Sequence, residues 1–149
     1  MSHDLLLRRL KLLASLVAAL VVLAACGTQQ RVAKMENVKP PAAGTPAGPA
    51  DVSGIYRSLH TATLQLRQDG TVALIVPEGT GASSGRFTLQ DGRLELQTTA
   101  CRDAIGSYDV VVTGPQKAGK ATLVVTAVDD SCAGRRRDLT RDPWVYADS

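Results

Sequence analysis

From residue 53 onward, apolar and polar side chains alternate with period two, the pattern of half-buried strands. In Thr61-Ala62-Thr63-Leu64-Gln65-Leu66-Arg67, Leu64 and Leu66 share one face. Gln68-Asp69-Gly70 follows as a hairpin signal, because glycine accepts the positive φ of tight turns. Residues 71–76 return as a strand, and residues 77–84, rich in Gly and Ser, read as a long polar loop. Residues 85–90 alternate again, turn at Asp91-Gly92 and come back over 93–98. Residues 107–113 and 121–128 form a further pair joined by 114–119. An opening strand at 54–58 and a closing one at 136–140 or a little later bring the total to about eight, and no segment keeps a helical period beyond about one turn.

Consecutive antiparallel strands with short turns predict an all-β meander. The expected architecture is a small up-and-down β-barrel of about eight strands, whose interior side chains fill or which holds one small ligand. Closure also removes the exposed edges that invite aggregation. An open sandwich fits the same pattern. The inward positions are Leu64, Leu66, Val72, Leu74, Leu89, Leu94, Leu96, Val110, Val112, Leu123 and Val125, an aliphatic interior suited to an apolar ligand if a cavity remains.

The first fifty residues have a different texture. Arg8, Arg9 and Lys11 precede an apolar run over 12–25 that is broken only by Ser15. This is the layout of a secretory signal, too short for a membrane span of about 20 apolar residues. The run ends in Leu23-Ala24-Ala25-Cys26, which resembles the lipobox of bacterial lipoproteins. That resemblance implies cleavage before Cys26 and a diacylglycerol thioether on its thiol. The chain then divides into a signal peptide (1–25), a lipidated Cys26 with a flexible Pro/Ala/Gly linker (26–50) and a barrel domain (51–149). The implied place is the cell envelope. With Gly27 rather than Asp after the cysteine, this means the periplasmic side of the outer membrane in a Gram-negative host, and the outer face of the plasma membrane otherwise. The linker is almost free of large apolar residues, so it reads as an extended tether.

Charge changes the picture little. The 149-residue chain has a formal charge of +3, but its signal carries three of the basic groups and one acidic one. The remainder is close to neutral, which gives a nucleic-acid partner no support. The run Arg135-Arg136-Arg137 lies between Asp130 and Asp138 and reads as a solvated strand face or turn. Beyond the membrane the surroundings are oxidising, so Cys101 and Cys132 read as a disulfide. In the chain-entropy model, closing a loop of that length contributes roughly 3.5–4 kcal/mol.

Several of these residues carry a family resemblance. Gly54-Ile55-Tyr56 resembles the Gly-x-Trp opening of lipocalins. The closing half contains Cys101, Gly106-Ser107-Tyr108, Leu123-Val124-Val125, Asp130-Ser131-Cys132-Ala133-Gly134-Arg135, Leu139 and Trp144. It is similar to a pattern of bacterial lipocalin-like domains. More distantly, the Leu-x-Leu-x-x-Asp-Gly opening half resembles NlpE-type and META-type envelope lipoproteins, without the Cys-x-x-Cys of the former. The resemblance implies a barrel that binds an apolar ligand or an envelope protein, and an Arg135 or Arg136 lying across Tyr56 or Trp144. It also suggests an alternative role, an inhibitor of a cell-wall hydrolase acting through an exposed loop. Here that loop is residues 77–86, with Ser83, Ser84 and Arg86 as candidate partner contacts.

Enzymatic motifs are missing. After residue 26 the chain has one histidine, His60, read as a surface or turn residue, and no serine sits in a nucleophile motif. No metal-ligand spacing or phosphate loop appears. The expectation is a non-enzymatic protein without cofactor or metal. An enzyme would require a cleft around His60 with an acidic partner within hydrogen-bond reach. Asp130 is expected to cap a turn or pair with Arg135, and Trp144 with Tyr146 to plug one end of the barrel.

Overall fold

The structure is a computed structural model that describes residues 39–77, 81–102 and 104–147. The signal, the lipobox and Cys26 lie outside the described residues.

Eight antiparallel strands close on themselves in sequence order. They are β1 (Gly54–Arg57), β2 (Thr63–Leu66), β3 (Thr71–Val76), β4 (Gly81–Gln90), β5 (Arg93–Thr98), β6 (Ile105–Thr113), β7 (Thr122–Asp129) and β8 (Trp144–Ala147). Closure runs through Tyr56 opposite Tyr146. All eleven positions expected to face inward are buried. The hairpins follow their turn chemistry. Asp91 and Gly92, at φ 48° and 81°, form a two-residue loop between paired Gln90 and Arg93, the primed geometry that Asp-Gly favours.

Three expectations are corrected. The closing strand is β8, not 136–140. That segment belongs to helix α2 (Ala133–Thr140), with α1 being Pro49–Val52. Arg135 and Leu139, four residues apart, are its buried positions, which is a helical repeat. Pro143 then pushes the chain into extended structure and lets β8 begin. Second, the polar loop at 77–84 is shorter than expected, because β4 starts at Gly81 and pairs Ser83 with Leu74 and Ser84 with Ala73. Third, the tether does not run free to residue 50. Gly44 exchanges both backbone hydrogen bonds with Val112, and Gly92 and Asp91 N–H donate to Pro46 and Ala47 carbonyls. β6 outruns β5 by several residues, so its projecting edge needs a partner, and this strap supplies one.

Up-and-down topology sorts the connections between two ends. The strap, α1 and the β2–β3, β4–β5 and β6–β7 turns share one, hereafter the strap end. The β1–β2, β3–β4 and β5–β6 turns and α2 share the far end. Val52 of α1 enters the core at the strap end, and Leu139 and Trp144 enter it at the far end. The polar tips of the aromatics are used: Tyr56 Oη donates to Val52 O (2.7 Å) and Trp144 Nε1 to Leu139 O (2.9 Å). At Gly85 the neighbouring strand comes so close that a Cβ would stand 1.8 Å from Gln97 O. Gly85→Ala should therefore destabilise the barrel by about 1–3 kcal/mol, read as a lower denaturant midpoint at unchanged slope.

Candidate functional site: the far end of the barrel

The residues of the closing pattern assemble into one buried hub. Cys101, in the 3-10 turn after β5, is disulfide-bonded to Cys132 at the start of α2, with Cα atoms 5.8 Å apart. Asp130 and Arg135 form a two-pronged ion pair, Nε to Oδ2 and Nη2 to Oδ1, both 2.8 Å, with side chains 0 % and 1 % exposed. Tyr108 Oη donates to the same carboxylate. Cys132 N–H donates to Asp130 Oδ1 (2.8 Å), and Arg135 Nη1 to Ala104 O (2.9 Å). A Cβ on Gly106 would stand 2.6 Å from Asp130 Oδ2 and 2.8 Å from Arg135 Nη2, so that position has no room for a side chain.

Asp130 thus does both things expected of it, pairing with Arg135 and capping a turn. Arg135 is committed to that carboxylate and to Ala104. The ring packed on Tyr56 is Tyr146, edge to face at 5.6 Å. Burial alone would push the Asp130 carboxyl up. The hydrogen bonds from Arg135, Tyr108 and Cys132 outweigh it and hold the group below its ordinary value of 3.8. Burial, and donation to Asp130, push the Tyr108 hydroxyl up. Every polar group of the hub is engaged within it, so the hub is a structural closure.

Beside it, the β1–β2 turn projects outward. Leu59 at its tip is 79 % exposed, the most exposed large hydrophobic of the described residues. The turn is braced rather than loose. Ser58 N–H donates to Ala62 O (3.0 Å), and Ala62 N–H to Ser58 Oγ (3.3 Å). Thr61 is held at φ 63°, unusual for a β-branched residue. His60, exposed as expected, reaches across to the α2–β8 connection, with Nδ1 2.5 Å from Asp142 Oδ2 and Nε2 3.0 Å from Arg141 Nη2. Guanidinium only donates, so Nε2 accepts from Arg141 and Nδ1 is left to donate to Asp142. The dyad has the acidic partner that a general base would need. Its other nitrogen, where a nucleophile would stand, is taken by Arg141. The contact joins residues 82 apart. It was invisible in the sequence, since only the β1–β8 pairing brings these turns together.

Ser83, Ser84 and Arg86 lie on strand β4, where a loop was expected. Ser83 faces inward at 3 % exposure, and Ser84 is half-buried, its N–H donating to Thr99 Oγ1 (3.3 Å). Arg86 is exposed on the outer face of β4, beside a shallow groove lined also by Thr88, Glu95, Gln97 and Ile105. Among the described residues no group of three or more His, Cys, Asp or Glu side chains is placed to hold a metal ion.

No family model matches this chain, and neither does a curated protein or a solved structure.

Proposed function

We propose that this chain is a lipid-anchored protein of the bacterial envelope whose non-enzymatic barrel engages an envelope protein through its far end. The observation that carries the reading is the opposition of the two ends. The described chain joins the barrel through the strap at one end, and the braced, Leu59-tipped turn stands at the other. An acyl group on Cys26 would tether the chain ahead of the strap, leaving Leu59 at the end of the barrel farther along the chain from the point of attachment. Recognition at the rim also fits the interior, where Tyr56, Tyr108 and Trp144, all 0 % exposed, pack with the aliphatic side chains into one core cluster. The inhibitor reading loses its support, because most of the loop it needed is strand.

The test has two arms. Metabolic labelling with palmitate should mark the wild type and not Cys26→Ala. A photo-crosslinking residue in place of Leu59 should yield a discrete protein adduct in the native envelope, and one in place of Gln68, at the strap end, should not. Absence of an adduct from position 59, together with a lipid extractable from the purified acylated protein beyond its own anchor, would return the interior to consideration as a carrier site.

A further inference from the structure

Lysine and arginine are distributed differently over this molecule. All four lysines that follow Cys26 are Lys34, Lys39, Lys117 and Lys120. Lys34 lies outside the described residues. Lys39 leads into the strap, and Lys117 and Lys120 stand in the β6–β7 loop, also at the strap end. No far-end connection contains a lysine, whereas Arg57, Arg102, Arg136, Arg137 and Arg141 are all there.

The lysines of the strap end are brought together by hydrogen bonds. Gln116 Nε2 donates to Pro40 O (2.6 Å), which fastens the residue before Lys117 to the residue after Lys39. Gly119 N–H donates to Tyr146 O (2.8 Å), which pins the other side of the loop to β8. All three lysines are exposed, and none makes an ion pair with another described residue. The loop over 114–120 contains no acid. Of the described acids in the connections at this end, Asp51 accepts from Ala47 and Gly48 N–H, and Asp69 from Thr71, so both are committed to their own turns. Asp91 remains, on the β4–β5 turn.

We propose that Lys39, Lys117 and Lys120 form a second membrane contact, seated on anionic lipid headgroups beside the acyl anchor. The inference rests on the reading of Cys26 as that anchor and adds what the anchor alone does not supply, an orientation. A lipid chain fixes one point and leaves the barrel free to tumble about it. A basic patch at the end of the barrel where the described chain begins adds a directed attraction, worth about fivefold in partitioning per lysine at an anionic surface. It acts only within a Debye length of about 8–10 Å, so it holds the strap end down and leaves the far end facing away. Acyl chain plus basic patch is a recurrent pairing of membrane signals. Lysine suits the role, being a compact, hydrated charge on a flexible stem with no fixed hydrogen-bonding fork to satisfy.

The experiment uses the mature lipoprotein, its acylation first read from the intact mass, reconstituted into vesicles of phosphatidylcholine or of phosphatidylcholine doped with phosphatidylglycerol. A membrane-impermeant amine-acylating reagent labels the lysines, and mass spectrometry gives the rate at each. Labelling of Lys39, Lys117 and Lys120 should slow several-fold in the anionic vesicles, and high salt should abolish the difference. In the Lys117→Gln/Lys120→Gln variant, Lys39 should label at its neutral-vesicle rate. Equal rates in the two kinds of vesicle, protection of Lys39 that survives the double substitution, or equal slowing by inorganic phosphate without vesicles would each overturn the proposal. If the intact mass shows no acyl group, the anchor reading falls separately. Salt-sensitive flotation of the unacylated chain with the anionic vesicles then decides the lysine face by itself.

Discussion

Replacing Asp130 with alanine should destabilise the barrel by about 3–5 kcal/mol, because it leaves the Arg135 guanidinium buried without its counter-charge. The expectation follows from geometry. Both side chains are 1 % exposed or less, the pair is two-pronged, and the same carboxylate also holds Tyr108 Oη and Cys132 N–H. Alanine therefore removes the partner of four donor groups on three residues at once. Arg135→Ala should cost a similar amount, since it strands the carboxylate. The informative variant is the triple replacement Asp130→Leu, Arg135→Met, Tyr108→Phe, which removes the buried charges together. Its loss should be smaller than that of either single alanine, because desolvation of an ion pair offsets much of its attraction. Urea unfolding of the four proteins measures this. A triple variant as unstable as Asp130→Ala would show that shape at Gly106 and Ala104, and not charge compensation, governs the hub.

The same site sets a pH dependence. Asp130 is held below its ordinary value of 3.8 in the folded chain. A carboxyl lowered by folding contributes stability that is present above that ordinary value and lost as the pH falls through the folded one. The wild type should lose stability on acidification below about pH 4. In the triple variant, which has no carboxyl at this position, that part of the acid loss should be absent.

How much of this was legible beforehand differs element by element. The inward positions of β2 to β7 were readable from period-two placement of Leu and Val, and all eleven named are buried. The hub was partly readable. Cysteine pairing follows from there being one even pair after Cys26 and the Asp130–Arg135 partnership from residue type and short spacing, while the buried role of Tyr108 needed the β6–β7 register that sets it beside Asp130. Helix α2 was misread because in Arg136–Thr140 both periods fit a five-residue window, and only Arg135 with Leu139 separates them. The strap was misread for a different reason. It binds mainly through backbone hydrogen bonds to Val112, Asp91 and Gly92, and backbone groups leave no mark on composition. The Leu59 turn and the His60 contact depend on chain closure, which no local pattern encodes.

Removing the disulfide is the second large effect. Cys101→Ala/Cys132→Ala should cost roughly 3.5–4 kcal/mol in the chain-entropy model, for a sequence separation of 31. Set against a total of about 5–15 kcal/mol for a domain of this size, that is enough to shift the denaturant midpoint strongly. The location matters as much as the amount. The bridge joins the 3-10 turn after β5 to the start of α2, the helix that precedes the thinnest strand junction described, where β7 and β8 pair over just Thr122–Leu123 and Val145–Trp144. Above that junction, α2 stands where strand pairing stops, held by Leu139, by Arg135 and by the bridge. Hydrogen exchange in the double variant should therefore rise first over residues 99–102 and 133–140, with β2 to β5 keeping their protection. Because Asp130 lies two residues from Cys132 and accepts its backbone N–H, the losses from Asp130→Ala and from the cysteine variant should not add. Once α2 is already loosened, Arg135 can reach water, and the charge left behind by Asp130→Ala costs less. A combined loss equal to the sum of the two would mean that bridge and ion pair stabilise separate parts of the far end.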